Sequence, residues 1–263
     1  MSVPDAPQPP PALRGAAGEE AARRPSIAIV TALGEELEGI LQQARGVRRR
    51  PDGLLEARFG SAPTLLTATG DGTGNAARGA ARLCDAAHPA ALIGVGVAGA
   101  LTAGLKVGDL VAGLRVRDAS GEAPAPDARL LAWALSSGAK AGTLVTVAAP
   151  VVTPAEKAEL ARSLDGETFG VVDMESAAWA RTAAQRKVPY VVVRAVSDLA
   201  DEELPEYLRR AVDRDGHVRR GAVIGFGLSQ PRTIPSLLRL RKRVDECGTR
   251  LGIFLQRLLG EAP

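Results

Sequence analysis

Aromatic side chains are scarce in this chain: Phe, Trp and Tyr together make up 3% of its 263 residues. The hydrophobic fraction is nevertheless 46%, so a sizeable core can form. That core must be built from Ala, Val, Leu and Ile. The length suits one large α/β domain or two small ones.

Cysteine and histidine are rarer still, with two residues of each. Cys84 and Cys247 lie far apart among helix-forming residues, which predicts two buried thiols in a reducing cytosol. His88 and His217 have no partner at CxxC or HxxxH spacing, so no zinc or other metal site is expected.

The chain also lacks a strong charge bias and a long apolar run. Its 33 basic and 30 acidic residues give a net charge of +3, which is too balanced to indicate nucleic-acid binding. No apolar run reaches the ~20 residues of a membrane span. Residues 1–25 have no signal-peptide core and are expected to form a disordered leader, so a cytoplasmic location follows by default.

Strand and helix patterns alternate from residue 26 to 201. The strands are apolar without period-2 alternation, which is typical of a sheet covered on both faces. We therefore predict an α/β fold, a single domain with a central mixed, twisted sheet and helices on both faces. The predicted strands are 26–33, 54–60, 64–70, 90–99, 105–118, 142–152 and 188–200, and the predicted helices are 34–44, 128–138 and 153–164; over 70–87 a glycine loop enters a helix, and over 169–187 a strand enters one.

The composition shifts after Ala200 to a charged segment that leads into an amphipathic helix over 235–259. We predict that 202–263 pack on the core, with weak contact to a partner or a membrane surface as the alternative. The apolar stripe comprises Leu237, Leu240, Val244, Cys247, Leu251, Phe254 and Leu258, and the basic face comprises Arg239, Arg241, Lys242 and Arg243.

Two glycine-rich segments are candidate ligand sites. Gly94-x-Gly96-x-x-Gly99 matches the dinucleotide-binding pattern, but a new strand follows it instead of a helix. We interpret it as backbone that approaches a ligand closely, with a dinucleotide oxidoreductase as the alternative. The run at 70–75 opens a helix and suits an anion or a polar sugar, unless it is only a tight turn.

Acidic residues follow three predicted strands. Asp173 and Glu175 follow FGVV, Ser197-Asp198 ends YVVVRAV, and Glu36 follows the first strand. Ligands of doubly wound sheets bind at the carboxyl ends of the strands, so we expect these acids at one edge, although acids can also cap helices. A carboxyl group there can serve as a general acid, and Asp198 is the candidate.

VVDMESAAWA followed by VPYVVVRAVSDLAD resembles the methylthioadenosine/adenosylhomocysteine nucleosidases, within the wider nucleosidase and phosphorylase superfamily. IAIVTALGEELEGI, GDGTGNAARGAA and GVGVAGALTAGLKVGDLV fit the same pattern in order, over about residues 26–201. The resemblance implies an enzyme that cleaves the N-glycosidic bond of a purine nucleoside and releases adenine. It also implies a small-molecule substrate, no cofactor and a homodimer or larger assembly.

The resemblance also implies roles for residues. Asp198 would protonate or hydrogen-bond N7 of the leaving purine, with Ser197 orienting it. Glu175 would bind the ribose hydroxyls, Met174 would pack against the sugar, and Glu36 would align the attacking water. Further substrate contacts are assigned to Gly72, Ala98, Gly99, Val172, Asp173 and Arg194.

APVVTPAEKAELARSLDGETFGVVDMES and DGHVRRGAVIGFGLSQPRTIPSLLRLRK resemble the hopanoid-associated phosphorylases. These are thought to release adenine from an adenosylated hopanoid lipid. Phosphate would then be the co-substrate, with Arg78 and Arg194 as candidate ligands. This chain departs from the methylthioadenosine/adenosylhomocysteine nucleosidases at two places: the aromatic residue expected near 147–152 is replaced by Ala149, Pro150 or Val151, and Val97 stands in place of a serine. A more open pocket follows, suited to a bulky 5′ substituent.

A protein of another functional class, a non-catalytic nucleoside-binding protein, is the alternative to an enzyme.

Overall fold

The computed structural model describes residues 27–164, 166, 169–206, 208–209 and 234–260. The strands are β1 (Ile27–Thr31), β2 (Arg45–Arg49), β3 (Leu55–Phe59), β4 (Ala62–Ala68), β5 (Ala91–Ala100), β6 (Leu110–Asp118), β7 (Gly121–Glu122), β8 (Lys140–Thr146), β9 (Phe169–Asp173) and β10 (Tyr190–Asp198). The helices of these ranges are α1 (Gly34–Leu41), α2 (Thr73–Ala87), α3 (Ala128–Ser136), α4 (Pro154–Ala161), α5 (Ser176–Gln185) and α6 (Ile234–Leu259).

The strands form one mixed sheet that closes on itself. Its order is β10-β6-β8-β9-β5-β1-β4-β3-β2, with β7 on β6 and an additional pairing of β10 with β5. Consequently β5, β10, β6, β8 and β9 make a closed ring of pairings. Within it β10 runs parallel to β5, whereas β9 runs antiparallel to β5.

The apolar side chains of β1 and β10 alternate between two hydrophobic clusters. Ile27 and Ile29 of β1 lie in the cluster that α1, α3 and α6 cover. Ala28 and Val30 lie in the cluster that α2 and α5 cover. Because both faces of the sheet are covered by helices, the predicted α/β fold is confirmed.

Several predicted bounds differ from the structure. The strand predicted over 142–152 ends at Thr146, so residues 147–152 lie outside the sheet. The strand predicted over 105–118 begins at Leu110, because Gly104 and Gly108 turn the chain with φ of +87° and +85°. β2 was not predicted, since all its residues are exposed and its sequence, RGVRR, shows no apolar pattern.

The long helix α6 packs its apolar side on the core. Cys247, Leu251, Phe254 and Leu258 are buried there. Arg239, Arg241 and Lys242 are exposed. The predicted basic face is wrong for Arg243, which points to the protein and binds Glu202 at 2.6 Å. Within the described ranges, no helix combines the length and hydropathy of a membrane span.

Both cysteines are buried and free, as predicted. Burial raises the pKa of the Cys84 thiol and of the Cys247 thiol to about 11. Both thiols therefore stay protonated and act as small apolar side chains of the core.

Helices α1 and α6 approach each other closely at two glycines. A Cβ atom on Gly39 would lie 2.9 Å from the Cα of Gly248 and 3.2 Å from the backbone nitrogen of Thr249. Backbone atoms cannot rotate away as a side chain can. The contact therefore requires glycine, and it fixes α6 against the helix that carries Glu36.

We predict that Gly39→Val lowers the free energy of unfolding by about 1–3 kcal/mol, the usual cost of overpacking a close contact. Urea unfolding of both proteins measures the difference. Gly166→Val is the matched control, because a Cβ atom at Gly166 meets nothing within 4 Å. Equal losses from the two substitutions would contradict a tight α1–α6 contact.

Candidate active site

The predicted site residues gather around one cavity of about 190 Å³. Asp198 of β10 is the register partner of Gly99 of β5, which pairs in turn with Val172 of β9. Of the predicted residues, the cavity is lined by Glu36, Ala98, Gly99, Val172, Asp173, Met174, Glu175, Ser197 and Asp198.

The acids reach this cavity from two directions. The expectation of one shared carboxyl edge holds for β1, β5 and β10, which run parallel. It is wrong for β9, because β9 runs antiparallel to β5 and brings Glu175 in from the opposite side. The two opposed strand ends meet because β5 and β9 pair at their last residues, Gly99 with Val172 and Ala100 with Val171.

Glu36 is buried and fixed by donors on three sides. Its Oε2 accepts hydrogen bonds from the Thr31 hydroxyl and from the backbone N–H groups of Ala32 (3.1 Å) and Leu33 (2.9 Å). Its Oε1 accepts one from the N–H of Val97 at 2.8 Å. A carboxylate oxygen has two lone pairs, so Oε1 keeps room for one further donor from the cavity.

Glu175 is held by the glycine loop and by Arg194. Its Oε1 accepts a hydrogen bond from the N–H of Gly72 at 3.0 Å, and its Oε2 accepts one from Arg194 at 3.2 Å. Gly72 has a φ of +79°, a conformation that glycine adopts at no steric cost. The N–H group at the start of α2 thus donates to a protein carboxylate, and Gly72 is not one of the residues that line the cavity.

Burial raises the pKa of Glu175 to about 7, even though Arg194 and the Gly72 N–H oppose the shift and the charge of Asp173 adds to it. The carboxyl group therefore gains or loses its proton near neutral pH. An acid in this state can be neutral in the empty cavity and ionised beside a developing positive charge.

Arg194 is fully buried beneath the cavity and does not line it. Its guanidinium lies 3.2 Å from Asp173 and donates to the hydroxyl of Ser176 at 3.0 Å and to the carbonyl of Val97 at 3.3 Å. It also lies 4.6 Å from the ring centroid of Trp179. The neighbouring carboxylates raise its pKa against the opposing effect of burial. Arg194 therefore supports the site from behind.

The Asp173 carboxylate caps the N-terminal end of α5. It accepts hydrogen bonds from the N–H groups of Glu175 and Ser176 at 3.0 and 2.9 Å, and from the Thr146 hydroxyl at 2.9 Å. This is the capping role that the sequence left as an alternative. Asp173 still lines the cavity, but most of its acceptor capacity is in use.

The glycines of the Gly94-x-Gly96-x-x-Gly99 segment make room for protein side chains. All three lie within β5. An added Cβ would lie 2.7 Å from Trp179 at Gly94 and 2.8 Å from Asp198 at Gly99, and at Gly96 it would collide with Arg194. The interpretation of a ligand-approaching backbone is thus wrong at Gly94 and Gly96, and only Gly99 also lines the cavity.

Lys157 of α4 is a site residue that the sequence did not indicate. Its buried ammonium group lies 2.6 Å from Oδ2 of Asp198. It also donates to the backbone carbonyls of Leu199 at 2.5 Å and Glu202 at 3.0 Å. The contact joins residues 41 positions apart, and in sequence Lys157 is one of several charged residues on a short helix.

Asp198 has a second polar neighbour in Ser197. The Ser197 hydroxyl lies 2.7 Å from Oδ1 of Asp198 and 3.2 Å from the carbonyl of Ala98. It has one hydrogen and can donate to one of the two at a time. Asp198 therefore sits between an ammonium group and a hydroxyl group.

Part of the cavity wall is apolar. It includes Val97, Val147, Pro150, Val151 and Leu204, and none of the described lining residues is aromatic or basic. Leu204 is placed there by a 2.7 Å hydrogen bond from its N–H to the carbonyl of Val152. Arg78, a candidate for phosphate, is exposed and bound to Asn75.

With this geometry in place, comparison with known proteins assigns the family. The family model described as "Phosphorylase superfamily" matches residues 26–218, and the chain belongs to this superfamily. It is similar to a 5′-methylthioadenosine/S-adenosylhomocysteine nucleosidase of Glaesserella parasuis serovar 5, with 28% identity over 73% of this chain and 95% of that one. A nucleosidase of the same name from Exiguobacterium is 31% identical over 56% of this chain and 72% of that one.

Solved structures share the fold at lower identity. The nucleosidase of Neisseria meningitidis in complex with methylthio-immucillin-A has a TM-score of 0.68 and 23% identity, and covers 90% of this chain and 100% of that one. A futalosine hydrolase of Helicobacter pylori has a TM-score of 0.67 and 18% identity, and covers 88% of this chain and 97% of that one.

These matches confirm the resemblance drawn from the motifs. They also confirm that the protein is an enzyme that cleaves N-ribosyl bonds. The roles of individual site residues, the assembly and the location stay predictions.

We predict that Glu175→Gln changes how stability depends on pH. A group whose pKa is raised from 4.5 unfolded to about 7 folded stabilises the protein below pH 4.5 and loses that contribution as pH rises through 7. Relative to the variant, the natural protein should lose up to about 3 kcal/mol over this window. Urea unfolding at a series of pH values measures it, and parallel curves for the two proteins would exclude a raised pKa.

Proposed function

We propose that the protein is a nucleosidase that uses water to release adenine from an adenine nucleoside. The observation that carries the proposal is a cavity with Asp198, Glu175 and Glu36 around it and no basic side chain among its described lining residues. The superfamily contains both phosphorylases and nucleosidases, and the nature of the lining favours water over an anionic nucleophile.

Asp198 and Glu175 have different roles in ribosyl transfer. Breaking the N-glycosidic bond leaves positive charge on the sugar and puts negative charge on the base. Asp198 faces the base and delivers a proton to N7, with Ser197 fixing its orientation, and general acid catalysis of this kind contributes ~10²–10⁴-fold. Glu175 lies where an ionised carboxylate offsets the positive sugar.

Glu175 also has the capacity to bind the ribose. Each of its oxygens accepts one protein hydrogen bond, so each keeps a lone pair for a hydroxyl group. A vicinal diol can donate to both oxygens at once. Met174, beside it in the cavity wall, packs against the sugar.

Glu36 positions the nucleophile. One lone pair of its Oε1 remains for a donor in the cavity, and a water molecule there is a hydrogen-bond donor of the right size. Phosphate, by contrast, needs arginines or a nest of N–H groups. Arg194 is occupied by carboxylates and carbonyl oxygen, and the N–H of Gly72 is occupied by Glu175.

We expect adenine release from methylthioadenosine, adenosylhomocysteine or adenosine in phosphate-free buffer, at a rate that phosphate does not change. Liquid chromatography of adenine and of the sugar product measures it. Asp198→Asn should lower kcat/KM at least ~10²-fold, because the general acid is lost. Asp85→Asn is the control and should keep full activity, because Asp85 is an exposed residue of α2 that pairs with Arg186.

Two outcomes would replace this proposal. Release that requires phosphate and yields a ribose 1-phosphate would identify a phosphorylase. Binding of adenine without release from any nucleoside would identify a non-catalytic binding protein.

The apolar wall favours a nucleoside with a bulky apolar 5′ substituent. Val147, Pro150, Val151 and Leu204 provide surface for it, and no aromatic side chain closes this side among the described lining residues. An adenosylated lipid of the hopanoid type is the second candidate substrate, and it rests on this wall and on the sequence resemblance.

We predict that kcat/KM rises along a series of 5′-alkylthioadenosines as the alkyl group grows from methyl to octyl, by ~4-fold for each CH₂ that becomes buried. Val151→Trp should abolish the rise and leave the methyl compound unaffected within a few-fold. A flat or falling series for the natural protein would rule out a lipid-like substituent.

A further inference from the structure

The buried pair of Lys157 and Asp198 has a consequence for the source of the proton in the reaction. An ammonium group at 2.6 Å pairs with the carboxylate as an ion pair, and both side chains are shielded from water, with exposures of 0% and 5%. A carboxylate that is already ionised carries no proton of its own for the leaving base.

In the described part of the chain, two side chains donate hydrogen bonds to the Asp198 carboxylate. They are the Lys157 ammonium group and the Ser197 hydroxyl group. A serine hydroxyl is a far weaker acid than an ammonium group. Lys157 is therefore the proton source within reach, and Asp198 is the group that connects it to the cavity.

We propose that Lys157 and Asp198 act as one proton-donating pair, in which the proton taken by the leaving base comes from the Lys157 ammonium through the Asp198 carboxylate. This inference rests on the proposed function. Lys157 lies behind Asp198 and does not line the cavity, so it is a positioning and proton-supplying residue.

Cleavage of the glycosidic bond is coupled to proton transfer through this pair. The C1′–N9 bond breaks and both its electrons go to the base. N7 takes a proton by way of Asp198, whose carboxylate is restored as the Lys157 ammonium gives up one hydrogen and becomes an amine. Water adds to C1′ of the sugar cation and releases a proton, and solvent returns one to the Lys157 amine before the next turnover.

The remaining charges around the pair have partners of their own. Glu202, next to the ammonium, is paired with Arg243 of α6, and Glu156 of α4 is paired with Arg209. On the cavity side Glu175 is paired with Arg194, and Glu36 is held by backbone N–H groups. Glu175, whose pKa is raised to about 7 by burial, is present in the natural protein and in every Lys157 variant, so a difference between their pH profiles reports on Lys157.

A structural role is the competing explanation, because Lys157 also ties α4 to the carbonyls of Leu199 and Glu202. The two roles differ in their pH profiles. Loss of a proton source leaves Asp198 to act only when it carries its own proton, so activity survives at low pH. Loss of the structural contacts between Lys157 and these two carbonyl groups lowers activity at every pH by the same factor.

The test is the pH profile of kcat/KM for adenine release by the natural protein and by Lys157→Met. We expect the alkaline limb of the variant to move to lower pH by at least about one unit, with a loss of ~10²–10⁴-fold above neutrality that becomes smaller as the pH falls. Lys140→Met is the control, since Lys140 is also paired with an aspartate, Asp109, at 2.7 Å but lies outside the site.

Thermal unfolding shows whether Lys157→Met destabilises the fold. A second variant, which keeps the charge of residue 157, keeps the proposal testable if it does. Lys157→Arg keeps the positive charge, but a guanidinium does not release its proton in proteins, so it should lose ~10²-fold above neutrality, as Lys157→Met does. Natural activity in Lys157→Arg, or a uniform loss or no loss in Lys157→Met, would overturn the proposal while leaving the nucleosidase function intact. If the natural protein releases no adenine, the proposed function itself fails, and the inference with it.

Discussion

The buried guanidinium of Arg194 is the interaction on which the site depends. Asp173 and Glu175 lie within 3.2 Å of it, and Glu36 is close enough to raise its pKa. Removing one partner from a buried ion pair typically costs about 3–5 kcal/mol. With Arg194 in place, Asp173 and Glu175 can both be buried beside the cavity, and without it their mutual repulsion would lose the positive charge that opposes it.

The closed ring of strands gives Arg194 its position. Arg194 lies in β10 and its guanidinium reaches Glu175, which enters from β9, while β5 separates the two strands. β5 and β9 pair through Gly99 with Val172 and Ala100 with Val171, so their carboxyl ends overlap although the strands run in opposite directions. The charge cluster is therefore a property of this register as much as of the residues.

Sequence patterns predict those parts of the molecule that depend on neighbouring residues. The strands and helices follow apolar runs and capping residues such as Thr153, which bonds the N–H of Glu156. Glu36, Glu175 and Asp198 were found because each follows an apolar strand. Lys157 and the antiparallel course of β9 were missed because both depend on contacts between distant segments, which leave no local pattern. The exposed strand β2 was missed because pairing with β3 alone makes it a strand.

The glycines of β5 link positions that are far apart in the chain. The space that a methyl group would need at residue 96 is filled by the guanidinium of residue 194, and the space at residue 94 is filled by the indole of residue 179. Each pair therefore has a shared volume, and a larger residue at one position requires a smaller residue at the other. Alanine at position 96 would displace the guanidinium on which the site depends, so glycine at 96 and arginine at 194 should be retained together among descendants of this protein.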